Sequence, residues 1–206
     1  MFVPTQYVAK SPRSIVDAYP FALLVTTDAA GMHATQTPIF FETEDPEEMR
    51  LVGHIARRNP QAAGLTQGQS ALVVFTGPHA YISGSWYRTK PEVPTWNYVS
   101  AQVSGILEPL DEPEQNRAVL EKTARKLTAY GEDDAWGMEH APEGRVEMLL
   151  PYIRSFRITA HSIHGASKLS QTHPQDDRER VIARLKHRAR DGDTEIARAM
   201  ELKDPF

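Results

Sequence analysis

The segment from His54 to Gln61 places two adjacent arginines beside a helix-initiating asparagine. A strand is predicted over residues 49–55, and the pair Asn59-Pro60 is typical of a helix start, so Arg57 and Arg58 are expected in the turn between them. Guanidinium groups next to the backbone N–H groups of a helix start commonly bind phosphate. An exposed basic turn with an ordinary helix cap has the same sequence, and at this stage both interpretations are open.

Two segments rich in aromatic and hydroxyl side chains follow, at residues 77–87 and 93–98. They include Ser83 and Trp96, and Lys90 lies in the short loop between them. Rings and hydroxyls together suit a flat ligand with polar edges. Trp and Tyr are equally suited to a subunit interface, so composition favours neither interpretation.

A third polar segment, residues 165–172, is expected to connect the last strand with a helical tail. Lys168, Ser170 and Gln171 could bind an anion or a carbonyl edge. A polar connection without any ligand would have the same composition, and this alternative also stays open.

Composition and motifs exclude several classes of function. The 206 residues contain no cysteine, which excludes disulfides, thiolate metal sites and a cysteine nucleophile. No GxSxG, P-loop or GxGxxG motif is present, and the 8 histidines lack the spacing of metal ligands. A formal net charge of -4 argues against a general polyanion-binding protein.

The basic cluster of the chain lies in the C-terminal tail and comprises Arg178, Arg180, Arg184, Lys186, Arg188 and Arg190. We interpret it as the solvated face of a helix, with nucleic-acid contact as the alternative. The first ten residues lack the pattern of a signal peptide, and the most hydrophobic stretch is far shorter than a membrane span. A cytoplasmic location is therefore expected, with no membrane partner.

Long uncharged stretches point to a β-rich fold. Residues 61–87 and 93–107 contain no Asp, Glu, Lys or Arg, but glycines and hydroxyls interrupt them too often for a membrane helix. Strands that are buried on both faces, or buried against a partner subunit, have this composition. Strands are predicted over residues 21–27, 32–42, 49–55, 70–76, 79–83, 93–110 and 154–163, with the pair 70–76 and 79–83 joined as a hairpin at Gly77-Pro78.

Helices are predicted around these strands. Ser11-Pro12 opens one that extends to about residue 18, and Asn59-Pro60 opens another. A longer helix is predicted over 111–130, ended by Gly131, with an apolar face formed by Leu120, Ala124 and Leu127. Pro174 opens a polar helical tail with apolar positions at Val181, Ile182, Leu185 and Ile196. The predicted fold class is α+β, mainly β, built on a barrel with peripheral helices.

These segments together resemble the PaiB-type family of FMN-binding negative transcriptional regulators. The similarity runs nearly end to end, and several motifs in the same order make it far more specific than any one of them. The matching residues are Met1-Phe-Val-Pro4, Ala34-Thr35, Pro38, His54-Ile-Ala-Arg57, Asn59-Pro60-Gln61, Gly77-Pro78, Ala80-Tyr81, Ser85-Trp86-Tyr87, Val93-Pro-Thr-Trp-Asn-Tyr98 and Lys168-Leu-Ser-Gln171.

The resemblance implies a six-stranded, Greek-key-like split β-barrel of the pyridoxamine-phosphate-oxidase type, working as a homodimer with FMN at the subunit interface. It implies that the basic turn meets the FMN phosphate, that Thr35 and Gln36 approach the ring, and that the segment at Lys168 closes the pocket. The implied flavin-binding residues are Thr35, Gln36, His54, Arg57, Arg58, Asn59, Ser83, Trp96, Lys168, Ser170 and Gln171. Residues 1–172 are expected to form the flavin-binding domain and residues 173–206 the tail.

Three hypotheses for function follow. The first is a flavin-binding regulator, in which FMN or its redox state tunes binding to another macromolecule. The second is a small flavin-dependent oxidoreductase, because one fold hosts several functions. The third is a dimer without a cofactor. We favour the regulator, with the oxidoreductase as the alternative, and direct DNA contact has only the basic tail to support it.

Overall fold

The computed structural model describes residues 1–89, 92–128, 136–202 and 206. Its strands are β1 (Phe21–Asp28), β2 (Gly31–Phe41), β3 (Arg50–Ala56), β4 (Gln69–Ile82), β5 (Thr95–Leu110) and β6 (Ile153–Lys168). Its helices are α1 (Pro12–Ala18), α2 (Pro60–Ala63), α3 (Pro113–Thr128), α4 (Arg145–Leu149), α5 (Gln175–Arg188) and α6 (Asp193–Glu201). The strands close into a barrel in the order β1-β2-β3-β6-β5-β4, which confirms the predicted six-stranded, mainly β fold.

β4 shows that the predicted hairpin at Gly77-Pro78 is wrong, because a single strand runs through both residues. A Cβ on Gly77 would lie 2.8 Å from the ring of Tyr19 and 3.1 Å from the Val99 carbonyl oxygen. Glycine at this position therefore permits close packing inside a strand and does not mark a turn. The buried positions change from odd-numbered to even-numbered residues after Pro78, which indicates a β-bulge.

The described chain divides into two compact units, and the first comprises Pro20–Val74 and Val103–Ser162. Side chains alternate between the two faces along its strands, and the fully buried ones include Leu24, Ile39, Leu51, Val73, Phe156 and Ile158. The predicted turn between β1 and β2 is confirmed, with Asp28 Oδ1 accepting a hydrogen bond from the Ala30 N–H at 2.7 Å. Its last residue, Gly31, has φ +122°, a conformation that glycine adopts readily.

The face of α3 that the sequence predicts to be apolar is not the buried face. α3 buries Asn116, Val119 and Thr123, whereas Leu127 of the predicted face is 38% exposed. Asn116 is buried because its Oδ1 accepts a hydrogen bond from the Ser155 N–H at 2.9 Å. Hydrophobic periodicity cannot indicate a contact made by a polar side chain. The predicted helix end at residues 129–131 lies outside the described residues.

The second unit comprises Met1–Tyr19, Phe75–Gln102 and Ile163–Phe206. α1 begins as predicted, with Pro12 as its first residue and Ser11 Oγ accepting a hydrogen bond from the Ser14 N–H. The predicted helical tail is also confirmed as α5 and α6, which bury Val181, Leu185 and Ile196. None of the described helices combines the length and apolar composition that crossing a membrane requires.

Candidate functional site

The basic turn between β3 and α2 presents two exposed arginines. The Arg57 backbone N–H donates to the Tyr152 carbonyl at 2.8 Å, and Arg57 Nε donates to the Ile153 carbonyl at 3.1 Å. These bonds hold the guanidinium in one orientation through its Nε side. Among the described residues, none bonds to Nη1 or Nη2 of Arg57 or to the side chain of Arg58. The turn therefore offers several N–H donors to an anion.

The acidic neighbour of this turn is already neutralised. Arg154 donates from Nε and Nη2 to the two carboxylate oxygens of Asp111, at 2.7 Å each. The Arg154 hydrogen bonds, with a smaller contribution from the charge of Arg57, lower the pKa of Asp111 below its ordinary value. Because Asp111 is paired with Arg154, the positive charge of Arg57 stays available to a ligand.

Asn59 fixes the turn to the neighbouring strand. Its Oδ1 accepts a hydrogen bond from the Gln61 N–H at 3.0 Å and caps α2, as predicted. Its Nδ2 donates to Thr35 Oγ1 at 2.9 Å. Both ends of the Asn59 amide are thus engaged, so this side chain holds the turn in place. The hydrogen bond between Asn59 and Thr35 thus brings two of the predicted site residues into contact.

Gln36, the neighbour of Thr35 on β2, points to the other face of the strand and is exposed. It lies opposite Leu23 of β1, and Leu23 lies opposite Val74 of β4. Gln36 is therefore part of an outer sheet face, whereas Thr35 points towards α2.

His54 lies on the face of β3 that it shares with Val52. Val52 packs with Val119 of α3, so this face is covered by the helix. Burial lowers the pKa of the His54 imidazole, which is therefore neutral near pH 7. His54 is in register with Ser155, and both His54 Nδ1 and Ser155 Oγ are buried with no hydrogen-bond partner among the described residues.

In the second unit, Ser170 is the centre of a buried polar group. Ser170 is a non-glycine residue in the left-handed region, with φ +57°, and it is 3% exposed. Its hydroxyl lies 3.0 Å from Nδ2 of the fully buried Asn97 and 3.5 Å from the Tyr87 hydroxyl. Burial raises the pKa of Tyr87, whose ring stacks on His173 at 4.4 Å. A left-handed Ser is held by such surroundings and is often found at functional sites.

Sequence reasoning did not select Asn97 or Tyr87 as site residues, although both lie in the aromatic, hydroxyl-rich segments. An asparagine within a long uncharged strand was the available signal, because a buried amide needs a polar partner. That partner, Ser170, comes from a distant part of the chain.

Lys168 and Gln171 lie on either side of this group, and their position corrects the predicted connection. Residues 165–168 belong to β6, so the connection begins only after Lys168. Lys168 Nζ donates to Thr95 Oγ1 at 2.5 Å and lies 5.6 Å from the centre of the Tyr7 ring. Gln171 accepts from the Leu169 N–H and donates to the Ser167 carbonyl, each at 2.6 Å, and so shapes the turn.

Ser83 and Trp96 complete the predicted residues of this unit. Ser83 Oγ accepts a hydrogen bond from the Ser85 N–H at 3.3 Å and caps a short 3-10 turn. Trp96 is 52% exposed, and its ring contacts those of His79 and Tyr81 at centroid distances of 5.5 and 6.1 Å. The exposed indole offers a ring surface to a flat ligand.

Residues 1–162 match the model of a family described as "Putative FMN-binding domain". The match covers much more than half of the chain. The chain belongs to this FMN-binding family. Its cofactor is a flavin, and the predicted PaiB-type resemblance is confirmed by a relative of similar length. That relative, the Bacillus subtilis (strain 168) "Protease synthase and sporulation protein PAI 2", is 31% identical over 209 residues, covering 98% of both chains.

Solved structures share the fold of the FMN-binding chain. The flavocytochrome Anf3 from Azotobacter vinelandii has a TM-score of 0.59 at 14% identity, covering 86% of this chain and 78% of that one. A FAD and heme binding protein from Mycobacterium smegmatis has a TM-score of 0.57 at 15% identity, covering 87% and 78%. These likenesses concern the fold alone, and they confirm the predicted split barrel.

The donors of the basic turn fit the phosphate of FMN. A phosphate dianion needs several N–H donors and positive charge, and Arg57 and Arg58 supply both. A separate cavity of about 980 Å³, lined by residues of α3 and of the segment 136–147, includes none of the predicted flavin residues. The donor set of the turn therefore matches the chemistry of a phosphate group.

Proposed function

We propose that this protein is an FMN-binding homodimer with a regulatory role, in which flavin occupancy or redox state tunes an interaction with another macromolecule. The observation that carries the proposal is the pair of arginines at 57 and 58, exposed and partly pre-oriented in a protein of an FMN-binding family. When bound, the isoalloxazine ring supplies one- and two-electron redox chemistry.

In this proposal Arg57 and Arg58 bind the FMN phosphate, and Asn59 keeps the turn against β2. Thr35 and Gln36 are assigned to the ring, as the resemblance implies. His54, which is neutral and covered by α3, would act through the position of β3. Ser83, Trp96, Lys168, Ser170 and Gln171 are assigned to the remainder of the flavin site, within a flavin-binding domain of residues 1–172.

An uncharged outer sheet face supports the homodimer. Two rows of side chains cross β2, β1 and β4, one formed by Gln36, Leu23 and Val74 and the other by Ala34, Val25 and Leu72. Exposed Met32, at 76%, and Phe21, at 60%, extend this face. An apolar, uncharged face of this kind is typical of a subunit interface, and a second copy of the chain is its proposed occupant.

The basic tail supports regulation through a protein or metabolite better than through direct DNA contact. Arg178 donates to the Met200 carbonyl, Arg180 to the Trp86 carbonyl, and Lys186 pairs with Glu201 at 2.6 Å. Basic side chains that already have hydrogen-bond or ion-pair partners in the protein are less available to the phosphate groups of DNA. Arg178 and Arg180 are thus half-buried and bonded within the fold, whereas Lys186 is exposed, as the interpretation of the tail as a solvated helix face predicts. The name of the Bacillus subtilis relative refers to protease synthase and sporulation, and a regulatory role for this chain is proposed by analogy with that relative.

The decisive experiment is the visible spectrum of the purified protein before and after incubation with excess FMN and desalting. We expect retained flavin with a shifted absorption band. Absence of retained flavin, together with no fluorescence quenching in a titration, would refute the proposal. Rapid oxidation of NADH or NADPH by the flavin-loaded protein would favour the oxidoreductase over the regulator.

The dimer is tested by light scattering at micromolar concentration. We expect the mass of two chains for the natural protein and a monomer for Val25→Asp, because a charge on the uncharged face is costly to bury. Met148→Asp, a substitution of an exposed apolar residue of α4, is the matched control and should remain dimeric. A monomeric natural protein would refute the dimer.

Regulation is tested in a deletion strain that carries either the natural gene or Arg57→Ala. We expect the natural gene to restore the transcript profile and the variant to fail at equal protein levels. Full restoration by the variant would show that the flavin has no part in regulation. Fractionation of the same strain tests the predicted cytoplasmic location.

A further inference from the structure

The helical tail holds the segment of residues 79–89 through one arginine in particular. Arg188 donates from Nε and Nη2 to the two carboxylate oxygens of Asp193, at 2.7 and 2.5 Å. The same Nη2 donates to the Tyr81 carbonyl at 2.9 Å, and the guanidinium lies 5.0 Å from the centre of the Trp86 ring. One planar group thus joins α5, α6 and the segment, a geometry that lysine cannot reproduce.

Further contacts from the tail engage the same segment. Arg180 Nε donates to the Trp86 carbonyl at 3.0 Å. Asp177 Oδ1 accepts hydrogen bonds from the N–H groups of Arg88 and Thr89, at 2.9 and 3.4 Å. These bonds are made to the backbone of the segment, so they fix its path and do not depend on its side chains.

The connection between α5 and α6 packs closely against β4 at His79. A Cβ on Gly192 would overlap the His79 carbonyl oxygen, and Gly192 has φ +80°. Asp193 is 1% exposed and also accepts a hydrogen bond from the Arg190 N–H at 3.0 Å. A buried carboxylate of this kind requires its Arg188 partner, so the ion pair keeps the connection in place.

The held segment contains or supports part of the proposed flavin site. Ser83 belongs to the segment of residues 79–89. The rings of His79 and Tyr81, also in this segment, contact the Trp96 indole. A shift of the segment would therefore move both Ser83 and the Trp96 indole. The tail residues involved lie outside residues 1–162, the part that the family model matches.

We propose that Arg188, paired with Asp193, is a positioning residue that fixes residues 79–89 and thereby sets the Ser83 and Trp96 side of the flavin site. This inference rests on the proposed function, because it takes Ser83 and Trp96 as flavin contacts. Arg188 itself needs no contact with the flavin. Arg188 would act by holding residues that contact the ligand, and the loss of such a supporting residue typically weakens ligand binding by about 10- to 100-fold.

The test compares Arg188→Gln with Arg184→Gln, an exposed arginine one helical turn earlier on α5. Amide hydrogen exchange of residues 79–89 is measured first, without FMN, and FMN affinity is then measured by titration. We expect Arg188→Gln to speed exchange in this segment and to weaken FMN binding at least about tenfold. Arg184→Gln should match the natural protein in both measurements.

Because Arg188→Gln leaves the buried Asp193 carboxylate without its charged partner, a second variant tests whether any loss of binding is due to unfolding. Arg188→Gln with Asp193→Asn removes both charges and should fold while still lacking the contacts to Tyr81 and Trp86. If the single variant melts below the assay temperature, the double variant is used in its place. The same faster exchange in residues 79–89 and the same weaker FMN binding are expected of it.

The outcomes separate the inference from the proposed function. Unchanged exchange in residues 79–89 overturns the inference, and so does faster exchange with unchanged FMN affinity. In both cases the natural protein still binds FMN and the proposed function stands. Failure of the natural protein to bind FMN refutes the proposed function, and with it the flavin part of the inference.

Discussion

Arg57→Ala is the sharpest test of the basic turn as a phosphate site. The substitution removes one guanidinium and its 3.1 Å hydrogen bond to the Ile153 carbonyl, while the backbone bond from residue 57 to Tyr152 remains. The Asp111–Arg154 pair is left intact, so the neighbouring charges should not rearrange. A loss of affinity would therefore report the missing donors and not a disturbed fold.

The size of the effect follows from the donors that remain for a ligand. Nε is held by Ile153, so only the two terminal nitrogens of Arg57 can reach a phosphate. A hydrogen bond to a charged group contributes about 1.5–3 kcal/mol, which corresponds to a loss of about 10- to 150-fold in FMN affinity. Arg57→Lys should lose less FMN affinity than Arg57→Ala, because lysine keeps the positive charge and lacks only the planar set of N–H donors of the guanidinium.

The assay is a titration of FMN fluorescence at low and at high salt. The natural protein should bind more weakly as salt increases, and Arg57→Ala should show a smaller dependence. Arg190→Ala, an exposed arginine of the tail, controls for net charge. If Arg57→Ala and Arg58→Ala both bind FMN as tightly as the natural protein, the phosphate assignment is refuted.

Three predictions concern stability. Asn59→Ala should lower the free energy of unfolding by about 1–2 kcal/mol through loss of the α2 cap and the bond to Thr35, measured by urea denaturation. Glu42→Gln should cost about 1–2 kcal/mol near pH 7, because Arg157 bonds both Glu42 oxygens and lowers the pKa of that carboxyl below its ordinary 4.5. That contribution is present above pH 4.5 and is lost as the pH falls through the lowered folded pKa. Gly53→Ala should cost about 1–3 kcal/mol, since its Cβ would lie 2.9 Å from the Pro38 carbonyl oxygen.

Each of these has a control. Asn59→Asp keeps the α2 cap and loses only the hydrogen-bond donor to Thr35, so it should lower the free energy of unfolding less than Asn59→Ala does. Glu47→Gln, at an exposed glutamate, should leave stability unchanged, and an equal loss in both glutamate variants would contradict the Glu42 argument. Gly68→Ala tests backbone strain without crowding, since Gly68 has φ +82° and, among the described residues beyond its chain neighbours, no atom lies within 4 Å of its Cβ position. A loss for Gly53→Ala no larger than that of Gly68→Ala would contradict the crowding argument.

Local signals predicted most of the elements because they depend on residues close together in sequence. Ser11-Pro12 and Asn59-Pro60 begin helices, Asp28 to Gly31 forms a turn, and the long run before Leu110 forms a strand. The prediction at Gly77-Pro78 is wrong because a glycine that permits close packing inside a strand cannot be distinguished, in the sequence, from a glycine that forms a turn.

Within the candidate site, the sequence alone determined the basic turn and the class of cofactor. Arginine type and helix-start spacing are local, and the ordered motifs indicated the family. Tertiary structure alone decided what each side chain contacts: Asn59 contacts Thr35, Asn97 contacts Ser170, and Arg188 contacts residues 79–89. These contacts join residues far apart in the chain, and hydrophobic periodicity records which face is buried but not which partner covers it.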